Sequence, residues 1–136
     1  MISSYNSIPQ TVDANGLLSF DTNRILTGCT VSHNEGATTF KLNKPGYYYI
    51  TFNAVVTEAA AGNVSVQLRN GDTVIPGAIA IASSTATTDV LNLAFATIIR
   101  VPPSCCAIDN TAILTIINNG IAATYDVANI NITKLC

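Results

Sequence analysis

The sequence predicts an all-β domain built as an antiparallel sandwich or barrel of two layers, and three observations carry that reading. About eight to ten runs rich in Val, Ile, Thr, Tyr and Phe recur at roughly ten-residue spacing, separated by Gly, Pro, Asn and Asp turn signals. No apolar period of helical type persists beyond two turns. Two kinds of strand are present: one alternates apolar with polar residues, as a sheet with one wet face should, and the other is apolar on both sides and calls for a second cover.

Residues 1–15 are polar, contain Pro9 and show no period, so they read as an N-terminal arm or tether ahead of a single domain spanning 16–136. Leu17, Leu18 and Phe20 suggest a short first strand and Asp21-Thr22-Asn23 a turn. Cys29 to Ser32 and Thr38 to Leu42 are flanking strands on either side of Asn34-Glu35-Gly36. Pro45-Gly46 opens the stretch Tyr47 to Val56, a long strand almost wholly aromatic or β-branched. After a loop at Ala59 to Gly62, Val64, Val66 and Leu68 alternate with Ser65, Gln67 and Arg69. Asn70-Gly71 then signals a type I′ hairpin into Thr73 to Ala80. Ser83 to Thr88 is a small-polar loop. Val90 to Val101 repeats the two-sided apolar pattern, with Leu91, Leu93 and Phe95 on one face and Val90, Ala94, Ala96 and Ile98 on the other. Pro102-Pro103-Ser104 ends it, and Ala112 to Ile117 and Tyr125 to Leu135, joined through Asn118-Asn119-Gly120, are the last strands.

A chain of 136 residues is one domain and can bury a core without staples. Charged residues make up 10% against a usual ~25%, while apolar residues reach 49% and mean hydropathy is +0.39, so solubility rests on Thr, Asn and Ser. With six Lys and Arg, eight Asp and Glu, and a pI near 5.0, there is no basic stripe for nucleic acid. No apolar run reaches the ~18 residues that would insert in a membrane. Met1-Ile2-Ser3-Ser4-Tyr5 has neither a basic nor an apolar leader region, so the chain as given shows no targeting signal and leaves export open.

The residues that could carry chemistry are few. His33, the only histidine, sits beside a turn and reads as an exposed loop side chain; alone it supplies neither a metal site nor a triad. Cys29, Cys105, Cys106 and Cys136 lack C-x-x-C spacing, and reduced thiols are expected. If they are oxidised, Cys105 or Cys106 bridges elsewhere or Cys136 links subunits, because adjacent cysteines strain their own ring. Asn63-Val64-Ser65 and Asn131-Ile132-Thr133 match the glycosylation pattern by chance in an Asn- and Thr-rich chain. The aspartates fall at turns, where Asp is expected. Tyr47 to Tyr49 could stack on sugar rings, yet their place in an apolar strand, and the absence of Trp, favour core and interface. No catalytic residue, cofactor or metal is expected, and the protein is read as a non-enzyme.

Two motifs then resemble a known family. Phe40 followed by Gly46-x-Tyr48-x-Ile50-x-Phe52 resembles the G-x-Y-x-F signature of C1q-like domains, and Val64-Ser65-Val66-Gln67-Leu68-Arg69-Asn70-Gly71 resembles the hairpin that follows it there. The resemblance covers Leu17 to Leu135 and implies the C1q/TNF-like fold, a two-sheet jelly roll of about ten strands assembling as a homotrimer. The scarcity of charge and Val74-Ile75-Pro76-Gly77-Ala78 are most similar to the C-terminal heads of bacterial collagen-like surface proteins, including those of spore exosporium filaments. This implies an extracellular or spore-surface location and a face for adhesion, with a surface ligand or glycan as possible partner. It also raises calcium at a trimer apex, to which Asp89 or Asp109 could contribute. A phage or prophage fibre head and a carbohydrate-binding jelly roll are the rival readings. The resemblance puts Phe40, Gly46, Tyr48, Ile50, Phe52, Leu91, Leu93 and Phe95 in the core. Alternation then turns Tyr49, Thr51, Asn53, Val55, Ala94, Ala96 and Ile98 toward the other subunits.

Overall fold

The computed structural model describes residues 1–58, 60–85, 89–103 and 112–135. Among them are eleven strands: β1 (Ile2–Tyr5), β2 (Gln10–Val12), β3 (Thr22–Leu26), β4 (Val31–Ser32), β5 (Thr39–Leu42), β6 (Gly46–Glu58), β7 (Gly62–Asn70), β8 (Thr73–Ser84), β9 (Val90–Val101), β10 (Ala112–Asn118) and β11 (Ala123–Lys134). No helix among the described residues is long and apolar enough to cross a membrane.

The strands form two antiparallel sheets. The larger runs β3-β1-β11-β6-β9, with β2 pairing to β11, and the smaller runs β4-β5-β10-β7-β8. Alternation decides what lies between them. Ile50, Phe52, Leu93, Ile130 and Ile132 from the larger sheet meet Phe40, Leu42, Val66, Leu68, Leu114 and Ile116 from the smaller, all of them buried. Phe52 stacks on its cross-strand partner Phe95 at 5.2 Å.

Residues 1–15 are not an arm. β1 lies inside the larger sheet between β3 and β11, with Ile2 and Ser4 fully buried. Ser4 and, just past the strand, Asn6 find partners remote in sequence, so their burial leaves no apolar period. Ser4 Oγ donates to Asn23 Oδ1, and Asn6 Nδ2 donates to the carbonyls of Ile8, at 3.0 Å, and Tyr125, at 3.2 Å. Leu17 to Phe20 forms no strand beyond the single bridge Leu17 to Ile117, although Leu18 and Phe20 are buried, and the turn expected at Asp21-Thr22-Asn23 runs into β3. The hairpin is also shifted. Asn70 pairs with Thr73, so Gly71-Asp72 is the central pair, and Gly71 at φ +60° meets the type II′ requirement in place of type I′.

β11 carries a one-residue bulge at Asp126: Tyr125 pairs with Val56 and Val127 with Val55. Ala123 and Tyr125 face the core before it, and Ala128, Ile130 and Ile132 after it. Asn6 closes the gap, because its Oδ1 accepts from the Ala128 amide while its Nδ2 holds the Tyr125 carbonyl. A second buried amide, Asn118, donates to the carbonyls of Val12, Asp13 and Ile121 and accepts from Tyr125 Oη, tying β10 to the segment after β2. Burial holds the Tyr125 phenol above its ordinary value. Gly120 lies against β7 so closely that a Cβ there would collide with the backbone of Asn63 and Ser65.

His33 is buried, at 6% exposure, and not an exposed turn residue. Its ring stacks on Phe40 at 4.1 Å, with Nδ1 2.8 Å from Asn23 Oδ1 and Nε2 3.0 Å from the Ala37 carbonyl oxygen. Burial lowers its pKa from the ordinary 6.5, against the Ala37 carbonyl and the Glu35 charge, which raise it. Glu58, at the end of β6, is 2% exposed, and among the described residues neither carboxylate oxygen has a hydrogen-bond partner. Cys29 is free and exposed; Cys105, Cys106, Cys136 and Asp109 lie outside the described residues.

Two outcomes follow for stability. Asn6→Leu leaves the Ala128 amide and Tyr125 carbonyl unmet at the bulge and should cost about 2–4 kcal/mol, read by urea denaturation. Below pH 6.5 an unfolded His33 takes up a proton that the folded site resists, so stability should decline from neutral pH toward pH 5. The slope of melting temperature against pH across that window should be shallower in His33→Gln, and an equal slope in both proteins would exclude His33 as the cause.

Candidate subunit interface

The outer face of the larger sheet is built by strands whose other face is the core. In β6, Tyr48, Ile50, Phe52, Ala54 and Val56 point inward and are buried, so Tyr49, Thr51, Asn53 and Val55 point outward. In β9, Leu93 and Phe95 are buried and Leu91 is half-buried against the core, leaving Ala94, Ala96 and Ile98 outside.

Register joins these residues into rows. Tyr49 lies opposite Ile98, Thr51 opposite Ala96, Asn53 opposite Ala94 and Val55 opposite Asn92. Tyr49 is 42% exposed and Ile98 57%, so one end of the face presents bare apolar surface. Of the residues assigned to the core, Phe40 is buried on β5, while Gly46 opens β6 opposite Val101 and is half-buried.

β11 supplies a third column that the sequence reading omitted. Thr133, Asn131, Asn129 and Val127 lie beside Tyr49, Thr51, Asn53 and Val55. Asn131 Nδ2 donates to Thr51 Oγ1 at 3.1 Å and Asn129 Nδ2 to Asn53 Oδ1 at 3.2 Å. The signal that could have found this column is the change of parity between Tyr125 and Ala128, which only a bulge reconciles with one core. The Asn131 amide is thereby engaged on a sheet face, whereas Asn63 is exposed at the start of β7.

None of the residues in these four rows is charged. Along these three strands charge stands at the ends, where the Arg100 guanidinium lies 5.9 Å from the exposed Tyr47 ring and Asp126 accepts from Thr57 Oγ1 at 2.7 Å; to the side, the Arg24 guanidinium lies 4.9 Å from the ring of Tyr5, which pairs with Asn129. A shallow cavity of about 280 Å³ opens between Asn53, Val55, Asn92, Ala94 and Val127. Such a surface offers dispersion and amide hydrogen bonds to a dry partner, with no group placed to hold an ion or activate a nucleophile. Among the described residues, no group of three His, Cys, Asp or Glu side chains could hold a metal.

No family model and no curated protein matches the sequence. Solved structures do match in fold. The PRD1 vertex protein P5 is 19% identical, covering 99% of this chain and 96% of its own at a TM-score of 0.61. Eiger TNF from S. frugiperda is 10% identical, covering 99% and 92%, with a TM-score of 0.69. The globular domain of zebrafish complement 1qA protein is 9% identical, covering 95% and 92%, with a TM-score of 0.62. The chain therefore has the two-sheet jelly-roll fold of the C1q and TNF type.

The two faces of β9 differ in what they contribute to the single chain. Phe95→Ala removes a buried ring and should cost about 3–5 kcal/mol, whereas Ile98→Thr should stay within about 0.5 kcal/mol under conditions where the chain is monomeric, both measured by chemical denaturation.

Proposed function

We propose that the chain is a non-enzymatic trimerising head, in which the outer face of the larger sheet packs around a threefold axis and the remaining surface is presented for adhesion or ligand binding. The observation that carries this reading is the uncharged face across β11, β6 and β9, on strands whose opposite side is already committed to the core. Tyr49 and Ile98 are left exposed by the described residues. Likeness of fold to C1q-type and TNF-type domains supports the same architecture.

Within that class we place the chain at the tip of a bacterial collagen-like surface or spore-coat protein, outside the cell or on the exosporium. The support is the sequence resemblance in the two strand motifs and the low charge. A phage or prophage fibre head is the second reading, and the likeness to a vertex protein favours it. A Gly-X-Y tract encoded upstream supports the first, and neighbouring tail genes support the second. A carbohydrate-binding role would require glycan-array binding that maps to a cleft of the isolated head.

Light scattering on the purified chain should give a mass of three subunits. Stable assemblies of this kind bury upwards of ~2,000 Å², enough to couple folding to association, so the melting temperature should fall on hundredfold dilution. Val55→Asp would bring three carboxylates together in a poorly hydrated interface and should dissociate the trimer at neutral pH. Gln67→Asp, on the outer face of the smaller sheet, should leave it intact. A trimeric Val55→Asp protein that melts like its parent would place the axis elsewhere.

A further inference from the structure

Amides occupy the middle of the face where apolar side chains would bind more tightly. Asn53 and Asn129 are hydrogen-bonded as a pair in the row between Thr51 with Asn131 and Val55 with Val127. The pair is incompletely spent. Among the described residues nothing accepts from Asn53 Nδ2, which stands on the exposed side of the pair, while Asn129 Oδ1 is already covered within the chain and has no partner there. The side chain of Asn92 lines the same cavity from β9. An apolar face alone would let subunits slide or pair in several ways, because dispersion has no direction. Amides do have direction, and once buried they penalise every arrangement that leaves them unmet.

We propose that Asn53, Asn129 and Asn92 form a register key that makes this face accept two further copies of the chain in one arrangement, at a cost in stability. The inference rests on the trimer reading above. The occupant is another copy for two reasons. An amide both donates and accepts, so a face bearing amides and no charge is complementary to itself, while nothing on it selects a charged partner. In addition, the face is bordered by β9, a twelve-residue edge strand whose only charge is Arg100. Such an edge is usually guarded by cover, and in a closed ring of copies, each edge meeting the face of the next, the neighbouring copy would supply it. A single polar residue in an otherwise apolar seam fixes partner number and register in the same way in coiled coils.

The test compares the parent with Asn53→Val and with Asn53→Val/Asn129→Val. Val suits an exposed strand position, so both variants should fold, as checked by circular dichroism. Gln67→Val makes the same kind of change on the opposite sheet and controls for general stickiness. Light scattering and native mass spectrometry across a hundredfold concentration range should find the parent and Gln67→Val as one trimeric species. The Asn53 variants should melt higher than the parent yet distribute over several oligomeric states. Asn53 variants that remain a single trimer, or that melt lower, would overturn the key while leaving the trimer standing. A parent of any other mass would remove the trimer reading itself, and the key with it.

Discussion

The bulge at Asp126 is the constraint on which the rest of the architecture depends. Side chains in a strand alternate, so one extra residue exchanges the faces of everything beyond it. Upstream, Ala123 and Tyr125 are in the core; downstream, Ala128, Ile130 and Ile132 take over. Without the extra residue, β11 would drive Val127, Asn129 and Asn131 between the sheets and expose three apolar side chains. Asn6 makes the irregularity tolerable by supplying from a side chain the donor and acceptor that the broken ladder lacks. A residue near the N-terminus therefore fixes which face of the last strand is dry, and β1 has to be part of the sheet for it to do so.

This explains which parts of the fold were legible in the sequence. β6, β7 and β9 announce themselves because their apolar residues are local, but β6 and β9 are apolar on both sides, so the motif resemblance selects Tyr48, Ile50, Phe52, Leu93 and Phe95 as the core face and alternation only separates it from the other. β1 reads as an arm because its residues are polar. What buries Ser4 and Asn6 is hydrogen bonding to Asn23, Tyr125 and Ala128, partners remote in sequence. The burial of His33 is hidden for the same reason. A histidine beside Asn34-Glu35-Gly36 looks exposed until Phe40 is seen to stack on it and Ala37 to close over it. Short-range pattern detects burial driven by the hydrophobic effect; burial permitted by long-range polar satisfaction leaves no local trace.

The candidate interface was legible to the same extent. Its β6 and β9 columns follow from two strands apolar on both sides, but the β11 column depends on the bulge. The omission matters chemically. On β6 and β9 alone, the face consists of Tyr, Thr, Val, Ala and Ile with isolated amides; with β11 added, Asn53 and Thr51 acquire hydrogen-bonded partners and the centre becomes polar.

On the proposed trimer, low charge and high amide content have one physical origin. A strand whose inner face is core cannot turn a charge outward into an interface without paying for its desolvation, so Lys and Glu are excluded from the middle of β6, β9 and β11. Solubility before assembly still requires polar atoms there. Asn and Thr meet both demands, being hydrated when exposed and able to satisfy one another when buried, with fewer rotamers to lose than Lys or Glu. Arg100 and Asp126 mark where that demand ends, at the two margins of the face, where a charge can keep contact with water.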